Sequence, residues 1–163
     1  MKKIINWIDE YLEEVLLVAA LAAMAVIMGV QVFCRYVLGA SLSWSEELTR
    51  YIFIWAGFLS VSYCTKKCIS IKIEQFVALF PKRGKAMFKV VNHTFELILF
   101  LYLIPFAWKY LMSAVANGQT SPAMGIPMYY VQAAPLVGFI LSAIRVLQRW
   151  IVEFNTVRRK GGE

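Results

Sequence analysis

The chain has 163 residues, 60% of them hydrophobic and 17% charged, with a mean hydropathy of +0.63 and a net charge of +7. Four apolar stretches, Val15–Cys34, Tyr51–Thr65, Val90–Trp108 and Met128–Ile144, leave too little sequence for a soluble domain with its own core. The basic surplus lies in segments that flank those stretches, chiefly on one side of the chain's topology, a pattern that marks membrane orientation rather than a nucleic-acid partner.

The first stretch is uncharged and, as a helix, about 30 Å long, the thickness of a bilayer's hydrocarbon layer. Asp9, Glu10, Glu13 and Glu14 precede it where a cleaved signal would be basic, so the first span, about 13–36, is read as a retained anchor. Its acidic lead-in suits the positive end of a helix dipole. The second stretch is short, because only Tyr51–Thr65 separates Arg50 from Lys66. Starting the helix near Trp44 lengthens it to a span of about 44–65. Ser43 and Glu46 have capping-box spacing for that start. Trp44 then sits at the outer interface, and Lys66 and Lys67 snorkel at the inner one.

From Ile69 to Phe80, Ile69, Ile73, Phe76 and Phe80 follow helical spacing with Lys72 and Glu74 turned away. This predicts a short amphipathic interfacial helix over about 69–80, stopped by Pro81. Lys82, Arg83 and Lys85 form a basic corner, and with Lys66 and Lys67 they are candidates for contact with phospholipid head groups. The third span, about 88–109, contains Pro105, and the fourth, about 127–150, contains Pro135; a kink is expected at each. Between them, Asn117–Pro127 is rich in turn formers yet apolar at Met124 and Ile126, so this loop is expected to fold back on the helix ends or touch a partner. The fold class is therefore an all-α integral membrane protein, one membrane domain over 1–163 with four transmembrane helices and one interfacial helix.

Orientation follows from the basic residues. Lys2 and Lys3 precede the first span. Lys66, Lys67, Lys72, Lys82, Arg83, Lys85 and Lys89 lie between the second and third. Arg145, Arg149, Arg158, Arg159 and Lys160 close the chain, whereas the opposite side holds only Arg35, Arg50 and Lys109. Both termini are thereby placed in the cytoplasm.

Few residues carry chemistry. His93 and Glu96 share a helix face at i,i+3 near the inner end of span three, as a proton relay or as a structural pair near the head groups. Arg35, Glu46, Glu47 and Arg50 cluster at the outer face, either as salt bridges joining two helix ends or as a docking surface. Cys34, Cys64 and Cys68 form no paired framework and read as small packing residues. One histidine is too few for bis-histidine haem, and no Cys-x-x-Cys, Walker loop or His-Glu-x-x-His is present. Neither an enzyme nor a cofactor is indicated. No internal repeat suggests a self-contained transporter of inverted halves. Small residues at Ala22, Ala23, Gly29, Gly57 and Gly138 offer close-packing surfaces for another membrane protein.

The blocks Gln31-Val-Phe-Cys-Arg-Tyr-Val37, Leu42-Ser-Trp-Ser-Glu-Glu-Leu-Thr-Arg-Tyr51 and Phe53-Ile-Trp55, with Ser121-Pro-Ala-Met-Gly-Ile-Pro127 and a following span ending in Arg145, carry a resemblance. The chain resembles the small membrane (Q) subunit of tripartite ATP-independent periplasmic (TRAP) transporters over nearly its full length. Cys34 departs mildly from the pattern, where an aliphatic residue is expected before Arg35. The resemblance implies a non-catalytic subunit of a sodium-driven uptake system for organic acids in the bacterial inner membrane. Its partners would be a large multi-span, elevator-type subunit, for which it is a fixed scaffold, and a periplasmic substrate-binding protein that it helps to dock. The matching positions are Arg35, Tyr36, Trp44, Glu46, Glu47, Arg50 and Tyr51, with Pro122, Gly125 and Pro127 in the outer loop. The alternative is a stand-alone proton-coupled exporter using Glu96.

Overall fold

The computed structural model describes residues 2–40, 42–67 and 82–160, and the side chains of 11–40, 42–65 and 90–154. The interfacial helix expected over 69–80 lies outside the described residues. So do the side chains of Lys66, Lys67, Lys82, Arg83 and Lys85. The described chain folds into four helices: α1 (Lys2–Val37), α2 (Ser43–Lys67), α3 (Lys82–Asn117) and α4 (Tyr129–Lys160). Three of them contain stretches long and apolar enough to cross a membrane, namely Tyr11–Val37, Val90–Asn117 and Tyr129–Phe154. α2 is about 37 Å long and so has the length. Its uncharged part is confined to Tyr51–Thr65, between Glu46, Glu47 and Arg50 at one end and Lys66 and Lys67 at the other.

Packing partners set a lateral order rather than a closed bundle. α1 packs on α2, α2 on α4, and α4 on α3, so the helices stand in the row α1–α2–α4–α3. The core lies where the last three meet: Phe100, Ala143 and Val146 are buried, with Val61, Leu97, Ile104 and Phe139 packed around them. Phe139 meets Phe58 edge-on at 5.6 Å and lies 6.2 Å from Phe100, so one ring bridges three helices. Gly138 permits that approach, since a Cβ there would stand 2.7 Å from the Phe58 Cβ and 2.9 Å from its carbonyl oxygen. Gly29 and Gly57 face open space instead. Of the small residues expected to make packing surfaces, Gly138 is therefore spent inside the chain.

Helix ends follow local chemistry. Past α1, Gly39 has φ +64°, and the N–H groups of Leu38 at 3.1 Å and Ala40 at 3.2 Å both reach back to the Cys34 carbonyl, closing a glycine-terminated helix end. α3 stops at Gly118, φ +58°. Both Pro105 and Pro135 lie within helices that continue past them. Cys34 is half-buried but Cys64 is exposed, so Cys64 is not the packing residue expected of it.

Most of the apolar surface is uncovered. α1 exposes Val15, Leu21, Val26, Val32, Phe33 and Val37, on all sides but the one facing α2. α3, at the other edge of the row, exposes Phe95, Leu101, Tyr102, Phe106 and Trp108. A shallow apolar groove of about 370 Å³ runs between α1 and α2, lined by Leu17, Leu21, Met24, Phe53 and Gly57. Water would not tolerate such a surface; lipid or another membrane protein would.

Candidate functional site

Polar side chains gather at the two ends of the row. At the end bearing the α1–α2 and α3–α4 loops, Glu46 and Glu47 are adjacent in sequence but serve different neighbours. Gln31, 4% exposed in α1, donates its amide to Glu46 Oε1 at 2.7 Å. A buried amide requires such a partner, and this one draws Glu46 across to α1 instead of back toward Ser43. The capping box expected there does not form. In its place, the Ser45 hydroxyl and N–H both donate to the Leu42 carbonyl.

Glu47 binds the α3–α4 loop. Its Oε2 accepts the backbone N–H groups of Ala123 at 3.0 Å and Met124 at 3.1 Å, while Oε1 accepts the hydroxyl of buried Tyr51. The loop is itself closed by a bridge between Thr120 and Pro127, by Ser121 N–H to the Ile126 carbonyl at 2.8 Å, and by Met128 N–H to Gln119 at 2.8 Å. Gly125, at φ +67°, makes the reversal, and Ser121 is buried beneath it. The loop does fold back onto a helix end, as its composition led us to expect. Pro122 and Gly125 remain exposed, and Pro127 is half-buried.

Arg35 and Arg50 do not make the expected ion pairs: both are exposed, and among the described residues neither lies within salt-bridge distance of Glu46 or Glu47. The glutamates are already engaged by Gln31 and by the loop amides, which leaves the two guanidinium groups facing outward. Tyr36, 80% exposed, and Trp44 face outward with them.

At the opposite end, three helices share one carboxylate. Glu13 of α1, 4% exposed, accepts the Ser62 hydroxyl of α2 at 3.0 Å and Nε of Arg145 of α4 at 3.0 Å. Tyr63 also donates to Glu14, at 3.3 Å. Sequence reasoning missed the Glu13–Arg145 pair, although the signal was available: two opposite charges at matching depth in apolar helices can be buried only together. It missed Gln31 for a similar reason, as a lone amide in an apolar run needs an acceptor on a neighbouring helix.

His93 and Glu96 do meet, with Nδ1 to Oε2 at 3.1 Å, and Asn92 donates to the other oxygen of Glu96 at 2.9 Å. All three residues belong to α3, so the cluster is local. Thr94 accepts the indole N–H of Trp150 at 3.0 Å, tying α3 to α4 nearby. Among the described residues no three His, Cys, Asp or Glu side chains gather as a metal site.

Residues 24–156 match the family described as tripartite ATP-independent periplasmic transporters, DctQ component. The chain belongs to this family. A DctQ chain is a small membrane subunit of a TRAP transporter and not an enzyme. The chain is 26% identical over 147 residues to a putative TRAP transporter small permease protein of Haemophilus influenzae, covering 90% of this chain and 89% of that one. It is 24% identical to the ectoine TRAP transporter small permease protein TeaB of Halomonas elongata, covering 83% of this chain and 70% of TeaB. Identity reaches 29% with the isethionate TRAP transporter permease protein DctMQ of Oleidesulfovibrio alaskensis, over 89% of this chain but only 24% of that longer one. The DctQ-like part is thus about a quarter of the isethionate permease.

Proposed function

We propose that this chain is the fixed scaffold of a sodium-driven uptake transporter for organic acids in the bacterial inner membrane. All four helices cross the bilayer, both termini lie in the cytoplasm, and the Arg35, Glu47 and Pro122 end meets the periplasm. Its large neighbour is a multi-span subunit carrying the substrate and sodium sites and moving against it. A periplasmic substrate-binding protein docks across both, with Arg35, Tyr36, Trp44, Arg50, Pro122, Gly125 and Pro127 among its contacts. Phospholipid head groups meet Lys66, Lys67, Lys82, Arg83 and Lys85.

The observation that carries this reading is the apolar surface left open on α1 and α3 while Glu13 and Glu47 are bound by side chains and amides of the chain itself. Such a molecule offers contact area and no polar route for a solute. The isethionate permease supports the partnership, because a DctQ-like segment occupies a quarter of a chain that is named as a permease in its own right. The names of relatives, covering isethionate, ectoine and sialic acid transporters, support small acids as the substrate class.

The test is reconstitution. The chain alone in proteoliposomes is expected to be inert, and sodium-dependent uptake is expected only with the large subunit and the binding protein together. A solute gradient dissipated by the chain alone overturns the proposal. Glu96→Gln separates the exporter alternative: Glu96 is already bonded to Asn92 and His93 on its own helix, so uptake should change by less than about threefold. An exporter using it as proton carrier would lose transport.

A further inference from the structure

We infer that Glu47 is a latch: through two backbone amides it holds the α3–α4 loop in the shape that the substrate-binding protein meets. The inference rests on the docking role proposed above and assigns Glu47 a positioning function within it. The carboxylate lies on α2 and the amides it binds belong to Ala123 and Met124, more than seventy residues later, so the contact fastens a loop to a helix that is not its neighbour in sequence. Both amides approach the same oxygen, Oε2, at 3.0 and 3.1 Å. The second oxygen is held by Tyr51, whose hydroxyl also stands 3.4 Å from the sulfur of Met128 at the far side of the loop. The carboxylate is therefore oriented before it binds the loop.

A loop can be closed without an outside partner, and this one partly is. Met124 N–H lies 3.1 Å from the Ser121 hydroxyl as well, and Gly125 N–H donates to the Ser121 carbonyl at 3.0 Å. What those internal bonds do not supply is a fixed position relative to α2. Glu47 supplies it, and the exposed Pro122 and Ala123 are then held against the stretch of α2 that also carries exposed Arg50, three residues on from Glu47. Preorganisation of this kind lowers the ordering cost of a partner's binding. A charged docking contact would instead need its carboxylate free, and both oxygens of Glu47 are already occupied.

The charge and the reach of Glu47 can be separated. Glu47→Gln keeps an acceptor oxygen at the same reach, and Glu47→Asp keeps the charge but withdraws it by one methylene; Glu47→Ala removes both. Each variant is prepared as the complex with the large subunit in nanodiscs. Hydrogen exchange at the Ala123 and Met124 amides is measured alongside binding of a fluorescently labelled copy of its substrate-binding protein. The alanine and aspartate variants are expected to exchange those amides at least about tenfold faster, the loss of a hydrogen bond to a charged acceptor. They are also expected to raise the half-saturating concentration of binding protein by a similar factor. The glutamine variant, which keeps a neutral acceptor, should fall between the native chain and the alanine variant on both counts. Unchanged exchange in the alanine variant overturns the latch. A glutamine variant that binds as poorly as alanine while its amides stay protected also overturns it, and makes Glu47 a charged contact. Faster exchange with unaltered binding refutes the part of the inference that ties the loop's shape to docking, and places the failure in the docking role itself.

Discussion

Arg145→Met is expected to destabilise the folded chain by about 3–5 kcal/mol, the cost of leaving one member of a buried ion pair without its partner. Glu13 is 4% exposed and takes its two hydrogen bonds from Ser62 and from Arg145, and its second oxygen has no bond of its own. Without the guanidinium, a carboxylate would be held among three helices with a hydroxyl as its one remaining donor. The double change Glu13→Leu, Arg145→Met should recover most of that loss, since an apolar pair of similar volume can replace a buried ion pair at little cost. Thermal unfolding of the purified single and double variants in detergent reads both effects. A single variant as stable as the native chain would show that the pair contributes nothing to holding α1 against α4.

Gly138→Ala is the second large effect. The added methyl would fall 2.7, 2.9 and 3.2 Å from three atoms of Phe58, two of them backbone, so no side-chain rotation can relieve the clash. α2 and α4 must move apart, which loosens the contact of Phe139 with Phe58 and Phe100. A cost of about 1–3 kcal/mol is expected, typical of overpacking a tight site. Gly57→Ala is the internal control, because nothing lies within 4 Å of its added methyl, and its unfolding midpoint should equal or exceed the native one, alanine being the better helix former. Equal effects at the two glycines would mean that α2 and α4 are not packed as described.

These two cases show where the sequence was readable. Hydropathy alone located α1, α3 and α4, because an apolar run of that length has one stable use in a bilayer. The start of α2 was legible from Trp44 and the short uncharged run behind Arg50. Its first turn was misread, since the bond from Ser45 to Leu42 and the pull of Gln31 on Glu46 depend on neighbours that spacing does not reveal. The same limit applied to Arg35 and Arg50. Glu46 and Arg50, four residues apart, predict a pair on an isolated helix, and Arg35 could reach either glutamate across packed helix ends, but a buried amide and two loop N–H groups compete for the same carboxylates and win. Glycine positions were visible as candidates, yet which of them faces a backbone and which faces lipid is decided by the lateral order of the helices.

That order has a consequence for how the chain is made. Among the described residues α3 packs on α4 alone, so with the four spans proposed above it would enter the bilayer before its packing partner has been synthesised. α1 and α2 can dock as a hairpin straight away, so the nascent protein spends an interval as one finished pair beside one solitary helix. The last helix to emerge is the keystone, joining both parts through Phe139 and closing the ring of bonds around Glu13. A chain cut short before Tyr129 would strand α3 in lipid, a natural target for membrane quality control.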